Sequence, residues 1–399
     1  MQANSTHPYR VGIVGFGTSG RVFHAPFVLE HPAFELAGVV TRDPAKRADL
    51  AELAPRAEAF DTIEDLLAAH AASDLVSSST APAATGRRSG LDLLIVGSPT
   101  GLHAEHVRQA IEAGVTTLVD KPIAPTAAAA RELFDLADAR GVGLSVYQNR
   151  RCDDDFRAIK ALVDHAAFGR VYRFESRFEW FKPAPGKGWK ARTTAAEGGG
   201  LLLDLGPHLI DQAIELFGSV ERVESVHLDR RAEGAVAEDD VRLDLVHTSG
   251  VVSELRMNGL AAVPGQRFRV LGTTGGLASA GLDPQEPLLK SGMLPGDAQY
   301  TDPAAPARAQ RTATVSGTAV AEAARLATGT AGPDSTDPAG STVAGIDAAP
   351  VEIALPVSTY LDFYDRLAAW LGGTAPAPVT REQALAVMDV IEAARAAAN

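Results

Sequence analysis

The stretch Tyr9-Arg10-Val11-Gly12-Ile13-Val14-Gly15-Phe16-Gly17-Thr18-Ser19-Gly20 decides the fold of the N-terminal part of the chain. Its first six residues form a short, mostly apolar run that is typical of a buried strand, and a G-x-G-x-x-G turn follows at once. A second apolar run, from Glu35 to Val40, comes at the length expected of the next strand in a βαβ unit. In this order the glycines let the backbone approach a pyrophosphate at the start of a helix. The turn Gly15–Gly20 is therefore predicted to bind a dinucleotide.

The end of the second strand indicates which dinucleotide this is. Thr41 and Arg42 stand there, and Asp43 follows them. An acidic residue at this place would bind the ribose 2′-hydroxyl of NAD, whereas an arginine accommodates the 2′-phosphate of NADP. Because the guanidinium of Arg42 can grip a phosphate, the sequence predicts NADP. NAD stays possible, since Asp43 could still bind a ribose.

Further apolar runs extend the alternating pattern of strands and helices. Strands are predicted at Leu91–Val96, Val115–Val119 and Val142–Gln148, and a helix at Thr126–Arg140. Ligands of open α/β sheets bind outside the carboxyl ends of the parallel strands. The residues that follow these ends are therefore candidate cofactor contacts, namely Ser98, Pro99, Thr100, His103, Asp120 and Lys121.

The pattern changes after residue 150. Val171–Trp180 alternates with period two, which is typical of a strand with one covered face. Other strands are predicted at Val223–Leu228, Val241–His247, Val251–Met257 and Gln266–Leu271. We therefore predict two domains: an α/β Rossmann domain with a parallel sheet over residues 1–150, and an α+β domain with a mostly antiparallel open sheet over residues 151–399.

Two segments of biased composition interrupt these domains. Residues 71–90 are rich in Ser, Ala and Thr and lack periodicity, so we interpret them as a mobile insertion. From about Pro303 to Ala349 the chain is dominated by Ala, Thr, Gly, Ser and Pro and lacks aromatics, and much of it is expected to be a flexible loop. Thr359–Leu371 and the segment after the capping box Thr380-Arg381-Glu382-Gln383 are predicted to be helices.

Composition excludes several classes of protein. The chain has 399 residues, 46% hydrophobic and 22% charged, which suits a globular protein of two domains. A formal net charge of -13 argues against a nucleic-acid partner. No apolar run approaches the roughly twenty residues that span a bilayer, and Met1–Arg10 lacks the core of a signal peptide. The single cysteine, Cys152, leaves no internal disulfide and no cysteine cluster for a metal. We expect a cytoplasmic enzyme.

A glycine-rich stretch in the second half carries the other candidate groups. Gly198, Gly199 and Gly200 allow the backbone to lie close to a ligand, and the apolar run after them contains Asp204 and His208. In a helix these two residues are at i and i+4, one above the other, so a carboxylate and an imidazole would point to the same place. The alternative is a buried helix with a hydrogen-bonded Asp-His pair.

Taken together, four motifs resemble the Gfo/Idh/MocA oxidoreductases, named after glucose-fructose oxidoreductase, inositol dehydrogenase and a rhizopine-catabolism protein. They are the G-x-G-x-x-G turn, a TPNxxH-like Ser98–His103, an EKP-like Asp120-Lys121-Pro122, and a GGGxLxDxGxHxxD stretch at Gly198–Asp211. Within the family, Gln148-Asn149-Arg150-Arg151, Trp189 and Asp204–Gln212 resemble most the NADP-dependent scyllo-inositol dehydrogenase branch. Thr100 stands where the family usually has Asn, and Asp120 where it usually has Glu.

The resemblance implies that Lys121, Asp204 and His208 are catalytic and face the nicotinamide ring. It also implies that these three residues, Asn149 and Trp189 contact the substrate, and that Asn149 contacts the cofactor as well. Acid-base chemistry is consistent with a catalytic role for His208, because a neutral histidine is suited to take the proton of a secondary alcohol while hydride leaves the carbon. Lys121 would hold the hydroxyl oxygen, and Asp204 would orient Lys121 or a neighbouring hydroxyl.

Three kinds of function follow from this resemblance. The first is an NADP-dependent oxidoreductase acting on a polyol or sugar, an inositol above all, with a homodimer or homotetramer as the expected assembly. The second is a glycosidase of the same family that oxidises its substrate transiently with bound NAD. The third is a nucleotide-binding sensor without turnover. Lys121 and His208 together argue against the sensor, which has no need of both.

Overall fold

The computed structural model describes residues 7–71, 90–183, 193–194, 198–309, 311–328 and 349–398. Contacts within the chain define two compact units. The first comprises the chain up to Tyr147 together with Leu294–Gly296 and Leu361–Leu385. The second comprises Gln148–Met293, Asp297–Tyr360 and the chain from Ala386 onwards. The sequence pattern placed Leu361–Leu385 in the second domain, whereas its contacts group it with the first.

The first unit is built on a parallel sheet. Its order within the described residues is β3-β2-β1-β4-β5-β6, and every neighbouring pair is parallel. This is the arrangement of a Rossmann domain, with the order reversing between β1 and β4. The strands are β1 Tyr9–Val14, β2 Phe34–Val40, β3 Glu58–Phe60, β4 Leu93–Val96, β5 Thr116–Asp120 and β6 Leu144–Tyr147.

The second unit is built on a mostly antiparallel sheet. Its order within the described residues is β14-β13-β12-β11-β7-β10-β9-β8, and only the β7–β10 pair is parallel. Both predictions of fold class are therefore confirmed. The strands are β7 Val171–Glu179, β8 Val220–Asp229, β9 Asp240–His247, β10 Val252–Asn258, β11 Phe268–Gly272, β12 Gly275–Ser279, β13 Thr312–Gly317 and β14 Val351–Ala354.

Residues that favour helix ends stand at both ends of helix α5, Ala127–Arg140. Thr126 caps α5 by accepting a hydrogen bond from the Ala129 amide at 3.2 Å, and the helix ends at Gly141 in the left-handed conformation. The helices are α1 Ala25–Glu30, α2 Pro44–Leu53, α3 Ile63–Ala69, α4 His103–Glu112, α5 Ala127–Arg140, α6 Asp154–Asp164, α7 Leu201–Asp204, α8 Gly206–Phe217, α9 Gln285–Lys290, α10 Pro306–Ala309, α11 Ala319–Thr328, α12 Leu361–Leu371 and α13 Arg381–Ala398.

Alternation along β7 places one face of the second sheet in the core. Phe174 and Phe178 are buried, and the Phe174 ring packs against Phe217 of α8 and Phe268 of β11 at centroid distances of 5.3 and 5.7 Å. Tyr172, predicted on the same face, is the second residue of the strand and is 43% exposed.

The prediction of a flexible loop over Pro303–Ala349 is wrong for its first half. There α10 precedes β13, which pairs with β12 and β14, and α11 follows. Ala313 and Val315 alternate inward along β13, so small side chains form a strand that the composition concealed. Residues 329–348, and the predicted insertion at 71–90 except for its ends, lie outside the described residues.

The described residues hold no helix with the length and apolar character needed to cross a bilayer. In the same part of the chain there is no group of three or more His, Cys, Asp or Glu side chains arranged to hold a metal ion.

Candidate functional site

The three glycines of the N-terminal turn have different surroundings. Gly15 has a positive φ of 94°, and a Cβ there would lie 2.8 Å from the Gly97 carbonyl oxygen. A Cβ on Gly20 would collide with the Gly15 carbonyl oxygen. At Gly17, by contrast, a Cβ would meet no atom within 4 Å. Gly15 and Gly20 thus allow close backbone contacts that a side chain would prevent. Gly17 leaves the open backbone surface that a pyrophosphate needs.

The end of β2 presents an exposed guanidinium, that of Arg42. Arg42 is exposed and makes no ion pair with the part of the chain that the structure describes. The carboxylate of Asp43 caps α2, accepting a hydrogen bond from the Ala45 amide at 2.9 Å. The Thr41 carbonyl accepts a hydrogen bond from Arg47 Nε at 2.9 Å, which holds this corner in place. Asp43 is therefore engaged locally, whereas Arg42 is available.

His103 joins two strand ends at the carboxyl edge of the parallel sheet. Its Nε2 lies 2.7 Å from the Ser98 carbonyl oxygen and its Nδ1 lies 2.8 Å from that of Pro122. The buried ring therefore connects the predicted contacts Ser98, Pro99 and Thr100 with the turn that follows β5. His106, which sequence reasoning missed, accompanies it one helical turn later. Its Nδ1 is 2.9 Å from Ser98 Oγ, and burial, followed by His103, lowers the pKa of His106.

Lys121 follows the last residue of β5 and is half-buried, and the peptide bond to Pro122 is cis. Asp120, the residue before it, lies 3.1 Å from Nε2 of His24. His24 was not found from the sequence, because nothing local marks a residue whose partner is 96 positions away. In this unit the structure thus gathers the glycine turn, Ser98, His103, Asp120 and Lys121 at one edge of the sheet.

The stretch with Asp204 and His208 is not one continuous helix. Helix α7 ends at Asp204 and α8 begins at Gly206, and the His208 amide donates to the Leu205 carbonyl at 3.1 Å. The condition on which Asp204 and His208 would lie one above the other, a single helix through both, is therefore not met at Leu205, where Gly206 and Pro207 start a new first turn. His208 is 7% exposed and lies edge-on to Phe178 at a centroid distance of 6.4 Å.

The glycines before α7 lie against the chain itself. The Gly199 amide donates to the Thr194 carbonyl at 2.8 Å, and a Cβ on Gly200 would collide with the carboxylate of Glu238. Glu238 accepts a hydrogen bond from the Leu202 amide at 3.2 Å, so it caps α7 from a distant loop. Burial raises the pKa of Glu238 in spite of these amides.

Hydrogen bonds join the turn that carries Asn149 to the helix that carries His208. Arg151 forms two charged hydrogen bonds with Asp211 of α8, at 2.7 and 2.6 Å, and both side chains are buried. Gln212 Nε2 donates to the Arg150 carbonyl at 2.8 Å. Asn149 is itself buried, and its side-chain amide has no hydrogen-bond partner within the described residues, so this amide is available to a ligand.

A buried network lies behind this turn. Arg150 donates to the Tyr360 hydroxyl at 3.2 Å, and that hydroxyl donates to Asp153 at 3.2 Å. Burial raises the pKa of Asp153 well above its usual range, and burial together with Asp154 raises the pKa of Asp283 to about 6. These groups hold Arg150 in place and so position its neighbour Asn149. Trp189 lies outside the described residues.

Comparisons with known proteins bear on both units. A family model described as an oxidoreductase family with an NAD-binding Rossmann fold matches residues 9–148, and the GFO/IDH/MocA C-terminal domain model matches residues 156–278. Uncharacterized oxidoreductase YdgJ of Escherichia coli is 34% identical over 71% of this chain and 74% of its own. The scyllo-inositol 2-dehydrogenase (NADP(+)) IolW of Bacillus subtilis is 28% identical over 96% of this chain and 92% of its own.

A solved structure agrees at the level of the fold. The crystal structure of an oxidoreductase from Bacillus cereus superposes with a TM-score of 0.75 at 24% identity, covering 97% of this chain and 96% of that chain.

Proposed function

We propose, from the premise that this chain belongs to the Gfo/Idh/MocA family of oxidoreductases, that it transfers hydride between NADP and a secondary alcohol or ketone of a polyol or sugar, an inositol above all. The chain is an oxidoreductase with an NAD-binding Rossmann domain. The preference for NADP and the class of substrate are the proposed part. The observation that carries the proposal is the pairing of an open glycine turn with Lys121 at the same edge of the parallel sheet.

NADP is proposed because of the contrast between Arg42 and Asp43. The Asp43 carboxylate is engaged in capping α2, whereas the exposed guanidinium of Arg42 can form paired hydrogen bonds with a phosphate. The relative IolW, a scyllo-inositol 2-dehydrogenase (NADP(+)), supports the same choice. The glycine turn would hold the pyrophosphate, and the nicotinamide, when bound, supplies the redox chemistry.

The chain's own residues supply the proton chemistry and the orientation. We assign His208 as the base that takes the proton of the substrate hydroxyl during oxidation and returns it during reduction. Lys121 holds the hydroxyl oxygen and stabilises the charge that develops there, and Asp204 orients Lys121 or a neighbouring substrate hydroxyl. Asn149 and Trp189 are assigned to substrate binding, with Asn149 also near the cofactor.

An absorbance screen of inositols, aldoses and their keto forms with NADP and with NAD tests this function. The expected result is a change in absorbance at the nicotinamide band with at least one inositol or related polyol. The KM for NADP should be lower than the KM for NAD. Cleavage of a glycoside without net change in nicotinamide absorbance would instead identify a glycosidase. Nucleotide binding with no turnover of any polyol would identify a sensor.

Replacing Arg42 tests the cofactor preference directly. Arg42→Ala is expected to weaken NADP binding by about tenfold or more, because a hydrogen bond between charged groups contributes roughly 1.5–3 kcal/mol. Binding of NAD should change little, since NAD lacks the 2′-phosphate. Calorimetric titration of both dinucleotides measures this. Equal losses for the two would show that Arg42 does not bind the phosphate. Arg56→Ala, which removes an exposed guanidinium after the end of α2, serves as the control and should leave the binding of both dinucleotides unchanged.

We also propose a homodimer or homotetramer in the cytoplasm, formed through the open face of the second sheet. That face carries charged side chains between the strands, including Glu175 with Arg269 at 3.0 Å and Arg256 with Asp244 at 2.9 Å. A nucleic-acid partner is not part of this proposal, because the net charge is -13. A membrane partner is not part of it either, because no apolar run approaches the roughly twenty residues that span a bilayer.

A further inference from the structure

Arg267, the residue before β11, is a buried cation whose hydrogen-bond partners are neutral. Its side chain donates to the Ser176 hydroxyl at 2.7 Å and to the Gln212 amide oxygen at 3.1 Å, and the residue is 2% exposed. No carboxylate of the described residues forms an ion pair with it. Burial lowers the pKa of Arg267 to about 10, so the group is still a cation at neutral pH. Such a burial is costly, and an apolar side chain would fill the same space without that cost.

The guanidinium of Arg267 also lies over two aromatic rings. Its Cζ is 4.1 Å from the ring centroid of Phe178 and 3.8 Å from that of Phe268. A planar guanidinium stacks on ring faces, and this attraction is larger where water is excluded. The Phe178 ring, held in this way, is the one whose centroid lies 6.4 Å from that of His208 in an edge contact. The cation is thus connected with His208 through one aromatic ring.

A second connection runs through Gln212 to the turn Asn149–Cys152. The Gln212 Oε1 accepts a hydrogen bond from Arg267, and its Nε2 donates to the Arg150 carbonyl at 2.8 Å. The orientation of the amide is unambiguous, because a guanidinium can only donate and a carbonyl can only accept. Gln212 is completely buried, so no water competes for these bonds. The cation is thus connected with the backbone next to Asn149.

We infer that Arg267 is a positioning residue, which holds through Phe178 the ring beside His208 and through Gln212 the turn that carries Asn149. The inference rests on the proposed function, which assigns His208 to proton transfer and Asn149 to substrate binding. Both connections start from one guanidinium, although Phe178 lies on β7 and Gln212 on α8. A lysine could not replace it, because an ammonium has neither the planar face nor the fixed fork of donors.

Both connections can be measured in the full chain without turnover. Exchange of the His208 Cε1 hydrogen with solvent deuterium, followed by mass spectrometry, reports on that imidazole. Backbone amide exchange of the peptide that contains residues 149–152 reports on the turn. Arg267→Lys, which keeps the charge, is expected to raise both rates by about threefold or more, since a hydrogen bond from a charged group and the stacking are lost. Arg267→Met is the second variant, should the lysine variant fail to fold.

Two further variants interrupt one connection each. Phe178→Leu should raise the exchange of the His208 ring and leave the turn unchanged. Gln212→Met should raise the amide exchange of the turn and leave the His208 ring unchanged. Only the substitution of Arg267 should raise both rates. If it raises neither rate, or one of them alone, the inference is wrong.

Arg311 offers a matched control in the same unit. It is also buried, and its side chain donates to Asp155 on α6 at 2.7 Å and to the Ala280 carbonyl at 2.6 Å. Neither partner lies on α8 or in the turn. Arg311→Lys should lower the midpoint of thermal unfolding but leave both exchange rates unchanged. An equal rise of both rates in this variant would show a general loosening of the unit and would overturn the inference.

Kinetics separates this inference from the proposed function. If polyols are turned over, Arg267→Lys should lower kcat/KM for the polyol by about tenfold, while the Kd of NADP stays unchanged. If no polyol is turned over but the exchange rates change as described, the positioning by Arg267 stands and the assigned reaction is wrong. If Arg267→Lys turns over polyols as well as the parent does, the reaction stands and the role of Arg267 is wrong.

Discussion

Lys121→Ala and His208→Ala are each expected to lower kcat by about two to four orders of magnitude while NADP still binds. The magnitude is that of acid-base catalysis by a placed side chain. His208→Ala removes the group that exchanges a proton with the substrate hydroxyl, and Lys121→Ala removes the charge that stabilises its oxygen. Steady-state kinetics on the substrate found in the screen, together with calorimetric titration of NADP, separates turnover from cofactor binding.

Two surface residues of the same types serve as controls. Lys160 forms an i,i+4 ion pair with Asp164 on α6, and His227 lies on β8 at the surface. Lys160→Ala and His227→Ala should change kcat by less than about twofold, since surface substitutions of this kind alter little. Turnover within a few-fold of the parent in either test variant would remove that residue from the mechanism. A rise in KM with kcat unchanged would leave it a role in binding alone.

The parts of the fold that could be predicted are those with local causes. The glycine turn was recognisable because Gly15 and Gly20 meet steric demands that no other residue satisfies. The final helix was recognisable because Thr380 and Gln383 exchange the reciprocal hydrogen bonds of a capping box, at 3.1 and 3.4 Å. Comparison with known proteins confirms the family that the combined motifs indicated.

The parts that could not be predicted depend on distant residues. The start of α7 is one example, because the Leu202 amide there donates to Glu238, 36 positions away. The break at Leu205 is different: Gly206 and Pro207 begin α8 there without disturbing the apolar period. Strand β13 consists of small residues, so its pairing with β12 and β14, rather than its composition, makes it a strand. The roles of Lys121, Asp204, His208 and Asn149 stay predictions, which substitution has to test.

Asp211→Ala is expected to destabilise the protein by about 3–5 kcal/mol, because it leaves the charge of Arg151 buried without its main partner. Two short hydrogen bonds, at 2.7 and 2.6 Å, join these side chains, which are 2% and 6% exposed. In a domain of this size the midpoint of thermal unfolding should fall by roughly 10 °C. Differential scanning calorimetry and denaturant titration measure the two quantities.

The same substitution should also reduce turnover, because Arg151 and Asp211 connect the turn that carries Asn149 with the helix that carries His208. Glu215→Ala is the matched control, since Glu215 contacts the same guanidinium at 3.3 Å from a more exposed position. Its loss should be below about 1 kcal/mol. If Asp211→Ala were no more destabilising than Glu215→Ala, the buried pair would not hold the turn against α8. A fall in stability with kcat unchanged would show that the pair supports the fold without positioning His208.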